Sequence, residues 1–422
     1  MLSTAYKLIR RILRSCIDSS FRRDWGFCHP PAGWHESVSP VLARKIYWVF
    51  KPLAKLLKSK NYLFSINNIS TSTGHVYVEL DYALRQQRLG IIPPDSTVIF
   101  LWPKSPIANG FSKAIMPHNF ILILSGLGHI LIYPLLLRYR YLSFDSGLSD
   151  TNHGMNNTNA DRLSYKQVYE KYRSYFLLIG LTSEYYPLKK FQPDGAPENL
   201  ISFIGLERYV VLQIKDTAGN ASFKPTDPES YVSVISQMQA ADVKVVFAGR
   251  EKMPVLFSQL GVLDYANSKV ATPTNDFFLV RGAIAVLSSG SGFSMIADTL
   301  GVPLLIVNVW NYLWAGSSRT LVIPSVLSVS EKDLTFDAQL SLTMSVGQNL
   351  PFAKMAKQIN CRDATADQIL AAWCELFAAI EADEWCDTPL QQHFRNTLGN
   401  TAVSVAKSRV ADTFLTKNPH LF

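Results

Sequence analysis

Residues 284–308 read IAVLSSGSGFSMIADTLGVPLLIVN, and this stretch decides the fold. An apolar run over 284–287 stops at five small residues, and a helix-like segment over 293–300 leads to a second apolar run over 304–307. This order predicts strand, turn, helix and strand, which is one βαβ unit of a parallel sheet. Small residues let backbone N–H groups approach a ligand, and the start of a helix adds a positive dipole end. We therefore expect a phosphate or diphosphate at the turn, although the same residues could simply make a tight turn.

Several known motifs are missing from this stretch and from the rest of the chain. Their absence argues against several classes of chemistry. The turn has no P-loop lysine after its glycines, which argues against nucleoside triphosphate hydrolysis. No G-x-G-x-x-G follows an N-terminal strand, which argues against a dinucleotide oxidoreductase. No HExxH, D-x-D pair or Cys/His cluster has metal-ligand spacing. We therefore expect a site that needs neither a metal nor a cofactor.

Length and composition describe a globular protein with large cores. A chain of 422 residues is long enough for two domains. Hydrophobic residues make up 48% and charged residues 18%, which excludes a disordered chain. The five cysteines show no C-x-x-C spacing, so neither a zinc site nor a disulfide framework is implied. This cysteine usage fits a reducing compartment and predicts a cytoplasmic location.

The positive net charge of +8 is a feature of the N-terminal segment. Residues 1–60 hold 12 Lys and Arg but three acids, whereas the rest of the chain holds 29 basic and 30 acidic residues. No basic groove with interleaved aromatics follows, so we expect no nucleic-acid partner. Basic amphipathic helices, one bent or divided at Pro52, suit an anionic membrane surface such as the inner membrane. Helices packed on the core with a solvated basic face would give the same pattern. The apolar stretch over 120–137 fits a buried strand and turn better than a membrane span.

Alternating strand and helix signals predict an α/β fold with doubly wound parallel sheets. The pattern indicates a basic helical lead-in over residues 1–60, an α/β domain over 61–195 and a second α/β domain over 196–422. The predicted strands cover 62–67, 97–102, 209–214, 243–248, 284–287 and 304–307. The predicted helices cover 76–89, 163–190, 227–240, 276–282, 293–300 and 363–379.

Ligands of open α/β sheets bind at the carboxyl ends of the strands, and several chemical groups fall there. Lys215 and the pair Gly249-Arg250 follow two predicted strands, and Asp276 precedes the next helix. The two cations could neutralise a diphosphate leaving group, as a metal does elsewhere, although each could instead form an ordinary surface ion pair. The candidate phosphate-binding turn consists of Ser288, Ser289, Gly290, Ser291, Gly292, Phe293 and Ser294.

His75 is the candidate general base. It comes directly after Gly74, at the turn that follows the first predicted strand. An imidazole pKa of about 6.5 suits proton removal from an acceptor hydroxyl. Glu79, one turn onward, is the alternative base. Helix capping or a packing contact is the simpler explanation for His75.

The residues quoted above resemble a known family. Residues 276–308 look like the donor domain of GT-B-fold glycosyltransferases, closest to a bacterial family associated with surface polysaccharides and more distantly to fucosyltransferase-like enzymes. The segments STGHVYVELD (72–81), VVFAGREK (245–252) and LDYANS (263–268) agree in order. The resemblance implies two Rossmann-like domains of GT-B type. It also implies a nucleotide-sugar donor, a glycan or lipid-linked acceptor, and a role in bacterial surface polysaccharide biosynthesis.

The chain departs from this family at two places. Related enzymes often carry a His-x-Arg motif where this chain has Gln213-Ile214-Lys215, and lysine supplies charge without a bidentate fork. The paired glutamates of many retaining enzymes have no counterpart, which favours an inverting displacement by a base-activated hydroxyl. A nucleotide-sugar epimerase of the same fold and a non-catalytic glycan-binding scaffold remain alternatives.

Overall fold

The chain forms two compact units, each with its own sheet. The computed structural model describes residues 47–66, 73–101, 120–123, 135, 139, 165–182, 185–190, 196–205, 207–215, 226–309, 316–346, 359–399 and 401–422. The first unit takes in Met1–Ser72 and Gln86–Arg162, and the second takes in Thr73–Arg85 and Leu163–Phe422. The domain boundaries that the sequence predicts after residues 60 and 195 stay predictions.

The first unit carries a parallel sheet of three strands in the order β1-β2-β3. Helix α1 packs against β1, with Ala54 and Leu57 buried and the lysines at 51, 55 and 58 exposed. Pro52 lies within α1 without dividing it. The strands are β1 Tyr62–Ile66, β2 Thr97–Leu101 and β3 Phe120–Ile123, and the helices are α1 Tyr47–Ser59 and α2 Thr73–Arg88, which continues into this unit from the second.

Two membrane-related predictions fall partly outside the described residues. Residues 1–46 of the basic lead-in lie outside them, so membrane association of that segment stays a prediction. Of the stretch 120–137, only β3 and Leu135 are described. Among the helices that the structure does describe, none combines the length and apolar character needed to cross a membrane.

The second unit is built on a seven-stranded parallel sheet in the order β13-β9-β8-β7-β4-β5-β6. From β4 the chain first adds β5 and β6 on one side and then returns to add β7, β8 and β9 on the other. This is the Rossmann strand order, which reverses between β4 and β7. The α/β class with Rossmann-like parallel sheets is therefore confirmed. The strands are β4 Tyr209–Gln213, β5 Lys244–Phe247, β6 Leu263–Asp264, β7 Ala285–Ser288, β8 Leu304–Val309, β9 Thr320–Pro324 and β13 Arg409–Val410.

Local sequence rules account for most helix boundaries. Asp227 caps a 3₁₀ turn, Pro228–Tyr231, that runs into the next helix, as predicted. The helix predicted from Asp276 instead begins at Pro273, because Thr272 accepts a hydrogen bond from the Asn275 N–H and proline is favoured at the first helical position. The helices are α3 Tyr165–Leu181, α4 Pro187–Lys190, α5 Glu198–Ile204, α6 Val232–Ala240, α7 Val255–Gln259, α8 Pro273–Gly282, α9 Gly292–Leu300, α10 Phe336–Val346, α11 Ala366–Ala382, α12 Pro389–Thr397, α13 Ala402–Val405 and α14 Asp412–Lys417, followed by a 3₁₀ turn, Pro419–Leu421.

The second unit also contains a small antiparallel sheet that the sequence does not predict. It has the order β11-β10-β12, with the two outer strands pairing on either side of β10. Its strands are too short to give a clear alternating pattern, which explains the omission. They are β10 Val326–Val329, β11 Lys332–Asp333 and β12 Ile359–Arg362.

Candidate functional site

The carboxyl ends of β4 and β7 meet where the strand order reverses, which is where α/β sheets bind ligands. Gln213 ends β4 and lies beside Ser288, which ends β7. Ser288 Oγ donates to Gln213 Oε1 at 2.9 Å, and the Ser289 N–H donates to the Gln213 carbonyl at 3.0 Å. The Lys215 N–H donates in turn to Ser289 Oγ at 3.0 Å. The first two serines of the turn therefore tie the strand ends together.

The turn itself depends on a glycine and on capping serines. Gly290 has φ +75°, and a Cβ there would lie 2.9 Å from Val309 Cγ1. Ser291 caps α9, since its Oγ accepts from the Phe293 N–H at 3.1 Å, and Ser294 Oγ accepts from the Ser291 N–H at 3.0 Å. Ser291 and Gly292 are partly exposed, whereas Ser288, Ser289, Phe293 and Ser294 are buried. A ligand at this turn would therefore meet residues 291 and 292 and the start of α9.

The N-terminal end of α2 lies against the N-terminal end of α9. A Cβ on Gly74 would lie 2.9 Å from Met295 Cγ and 3.3 Å from the Cα of Gly292. His75 follows Gly74 directly, so its backbone lies beside the start of α9. The first N–H groups of a helix lack intrahelical partners, and each N-terminus carries partial positive charge. Two such ends in contact favour an anionic ligand.

The two predicted cations follow neighbouring strands at the same edge of the sheet. Lys215 follows β4 and is partly exposed, and Arg250 follows β5 and is exposed. Gly249, which directly precedes Arg250, has φ +120°, and a Cβ there would lie 3.2 Å from Gln213 Cγ at the end of β4. Only glycine accommodates both this backbone and the close approach to β4. The structure thus brings Lys215, Gly249 and Arg250 to the edge that holds the α9 turn.

Asp276 lies in the first turn of α8, where Tyr265 Oη donates to its Oδ1 at 2.8 Å. Burial raises the pKa of Asp276 to about 6, although the hydrogen bond from Tyr265 and the charge of Arg250 act to lower it. Burial raises the pKa of Tyr77 in α2, and the Asp276 carboxylate raises it further. Tyr77 also stacks on Phe277, with centroids 6.2 Å apart. Asp276 therefore lies within electrostatic reach of both Arg250 and α2.

Replacing Asp276 by asparagine is expected to stabilise the protein at high pH. The pKa of Asp276 is about 6 in the folded chain and lower in the unfolded chain, so between these two pKa values the folded chain holds more protons. The carboxyl group therefore contributes stability at low pH, and this contribution is lost as the pH rises through 6. Asp276→Asn should raise the free energy of unfolding by about 1–3 kcal/mol near pH ~8, with the gain gone near pH ~4. Denaturant unfolding at both pH values measures this. The exposed Asp367→Asn should change neither value, and equal gains for Asp276→Asn at both would contradict the assignment.

Glu79 lies in a different environment from the predicted cations. Its side chain is fully buried. Burial raises the pKa of Tyr172 in α3 to about 12, and the charge of Glu79 contributes to that rise. The carboxylate therefore faces α3, while the side chain of His75 lies outside the described residues. The base roles of His75 and Glu79 stay predictions.

The site has two further features, which concern metal ions and the side chains that hold Ser288 and Asp276. In the part of the chain that the structure describes, no group of three His, Cys, Asp or Glu side chains could hold a metal ion. Gln213 and Tyr265, which hold Ser288 and Asp276, were not singled out as site residues from the sequence. Gln213 meets a partner 75 residues away along the chain, and Tyr265 meets one 11 residues away, and neither spacing is a recognised motif.

Comparisons with known proteins give structural neighbours of low identity. No family model matches the chain, and no curated protein matches it. The iron-containing dodecameric glycosyltransferase TibC from enterotoxigenic E. coli is 14% identical with a TM-score of 0.45, and the match covers 77% of each chain. E. coli ADP-heptose LPS heptosyltransferase II is 13% identical with a TM-score of 0.41, covering 77% of this chain and 100% of that one. A family 9 glycosyl transferase from Veillonella parvula is 11% identical with a TM-score of 0.43, covering 76% and 98%.

Proposed function

We propose that this chain is a glycosyltransferase that moves a sugar from a nucleotide-sugar donor to a glycan or lipid-linked acceptor in bacterial surface polysaccharide biosynthesis. The observation that carries the proposal is the contact between the N-terminal ends of α2 and α9 at the reversal of strand order. The Gly-Ser turn there and the resemblance of residues 276–308 to GT-B donor domains support the same function. Two helix ends at a strand-order reversal suit a nucleoside diphosphate.

The donor diphosphate would bind at the start of α9. The backbone N–H of Gly292 would face the ligand, since that of Ser291 already donates to Ser294 Oγ, and the buried serines behind them hold the turn in place. Lys215 and Arg250 would add positive charge from the ends of β4 and β5. Fixed dipoles and cations aimed at a leaving group stabilise the charge that develops on it. In this proposal they do so without a metal ion.

The reaction would be a single displacement with inversion. The acceptor hydroxyl attacks the anomeric carbon of the donor sugar, the bond from that carbon to the diphosphate oxygen breaks, and the nucleoside diphosphate leaves with the bonding electrons. His75 would take the hydroxyl proton, since its backbone lies beside the start of α9. The reaction would take place in the cytoplasm, with the basic segment over residues 1–60 holding the protein at the inner membrane surface.

Removing either cation is expected to weaken nucleotide binding. Lys215→Ala and Arg250→Ala should each raise the dissociation constant for the diphosphate product roughly ten- to a hundredfold, because each removes a charge-assisted contact to phosphate. Calorimetric titration with UDP, GDP and ADP measures this.

Lys244→Ala and Arg208→Ala are matched controls. Both residues lie at the opposite end of the same two strands, where Lys244 pairs with Glu207 and Arg208 with Glu381. These controls should bind nucleotide as the wild type does. Unchanged affinity in both the Lys215 and Arg250 variants would remove these residues from the donor site.

A further inference from the structure

A cavity lies at the carboxyl edge of the large sheet, away from the α9 turn. It has a volume of about 370 Å³ and is formed by the turn before α6, the end of β8 and the start of α11. A pocket of this size is at the small end of ligand sites and suits one ring. The residues that matter for its chemistry are Asp227, Glu229, Asn308, Asp363, Ala364 and Ala366.

This cavity lies on the other face of the sheet from the α9 turn. Helix α6 connects β4 to β5, and α9 connects β7 to β8, and the two connections run in opposite directions along the sheet. Because crossovers between parallel strands of one sheet are right-handed in nearly all proteins, α6 and α9 cover opposite faces. Helix α11 packs with α6, and α8 packs with α9. The cavity between α6 and α11 is therefore distinct from the candidate donor site.

Asn308 is positioned by a distortion of β8. Val307 pairs with Ile323 and Val309 with Pro324, so Asn308 is an extra residue in the strand, and its φ is +61°. Such bulges redirect a side chain, and asparagine tolerates the left-handed conformation better than most residues. The side chain of Asn308 is only 3% exposed and lines the cavity.

Of the two polar atoms of the Asn308 side-chain amide, one has a hydrogen-bond partner among the described residues and the other has none. The Ala364 N–H donates to Asn308 Oδ1 at 2.8 Å, which fixes the amide orientation and leaves Nδ2 as its donor group. Among the residues described by the structure, nothing accepts a hydrogen bond from Nδ2. A left-handed conformation is strained for a non-glycine residue, and such strain is common at ligand sites. A ligand in the cavity that accepts a hydrogen bond from Nδ2 would use the remaining donor of this amide.

The carboxylates that line the cavity are acceptors, and Ser230 and Thr365 also contribute hydroxyl groups. Asp363 is partly buried, and Ser325 Oγ donates to its Oδ1 at 3.4 Å. Burial raises the pKa of Asp363 to about 6, and the bond from Ser325 opposes this rise. Asp227 and Glu229 are exposed at the mouth. The carboxylates of Asp227, Glu229 and Asp363 disfavour an anion. A metal ion is disfavoured because Asn308 presents a donor and not an oxygen.

We propose that this cavity is a carbohydrate subsite that binds the hydroxyl groups of one neutral sugar ring. Carboxylates accept hydrogen bonds from sugar hydroxyls, and Asn308 Nδ2 donates to a hydroxyl oxygen. The start of α11 contributes further backbone N–H donors near Ala366. The proposal adds a site to the candidate donor site and does not depend on it.

The test is ligand-observed NMR titration of the full chain with glucose, N-acetylglucosamine, fucose and ribose. We expect at least one sugar to bind. Asn308→Asp keeps the bond from the Ala364 N–H but loses the donor, and Asn308→Gly keeps the backbone conformation but loses the amide. Each, like Asp363→Asn, should weaken sugar binding roughly tenfold or more. Thermal unfolding confirms that each variant is folded.

Two substitutions serve as matched controls. Asp367→Asn changes an exposed carboxylate in the first turn of the same helix that does not line the cavity. Asn61→Gly changes another left-handed asparagine in the first unit. Both should bind sugar as the wild type does. The proposal is overturned if none of the four sugars binds, if the Asn308 and Asp363 variants bind as tightly as the wild type, or if Mg²⁺ or methylammonium displaces the bound sugar. Nucleotide titration of the same samples reports on the donor site separately.

Discussion

Gly290→Ala is expected to damage both folding and nucleotide binding. The glycine has φ +75°, and the added methyl group would lie 2.9 Å from Val309 Cγ1 in a buried turn. Left-handed strain and crowding together should cost about 2–4 kcal/mol of unfolding free energy. Because the turn would have to shift to relieve the contact, residues 291 and 292 would move from their positions at the start of α9.

A matched glycine separates the two causes. Gly399 has φ +57°, and within the described residues nothing lies within 4 Å of a Cβ placed there. Gly399→Ala should therefore cost only the backbone strain, roughly 1–2 kcal/mol, and leave nucleotide affinity unchanged. Denaturant unfolding and calorimetric titration of both variants measure the difference. Equal costs for the two variants, or full nucleotide affinity in Gly290→Ala, would contradict the role assigned to the turn.

Arg85→Ala is expected to be the most destabilising single change in the polar interior. Arg85 Nε donates to Asp81 Oδ2 at 2.6 Å, and Arg85 also donates to Thr182 Oγ1 at 2.6 Å. Tyr175 Oη donates to the same Asp81 oxygen at 2.6 Å, and the ion pair is almost completely buried. Removing the guanidinium leaves a buried carboxylate without its counter-ion, which costs about 3–5 kcal/mol.

The same pair connects stability to the site, because it fixes the segment of α2 that begins at Gly74. Arg85→Ala should therefore weaken nucleotide binding as well. Replacing both partners, Asp81→Leu with Arg85→Met, should recover much of the stability, since no unpaired charge remains. The exposed pair of Arg208 and Glu381 is the control, and Arg208→Ala should cost at most ~1 kcal/mol. A cost this small for Arg85→Ala, measured by denaturant unfolding, would show that the buried pair does not hold α2.

The sequence predicted those features that local patterns determine. The βαβ unit over residues 284–308 was predictable because an apolar run, a small-residue turn and a helix follow one another directly. The start of α8 was also readable in principle, since Thr272-Pro273 follows the same rule as Asp227-Pro228. The placement of Lys215 and Arg250 at one edge followed from strand alternation alone.

Features that depend on long-range packing could not be predicted. The contact of Gly74 with Gly292 joins helices far apart along the chain, and nothing near either glycine signals it. The bulge at Asn308 arises from pairing with β9, so the strand pattern LLIVNV does not reveal it. The burial of Glu79 depends likewise on α3, which packs over α2 through residues such as Tyr175.

The central claim is that the start of α9 binds the diphosphate of a nucleotide sugar. The most direct measurement is calorimetric titration of the wild-type chain with UDP, GDP and ADP, each paired with its monophosphate. We predict that one diphosphate binds at least roughly tenfold more tightly than its monophosphate, because the second phosphate reaches the helix end and the two cations. We also predict that Gly290→Ala abolishes this difference. Failure of every diphosphate to bind, or equal affinity for the two forms, would contradict the claim.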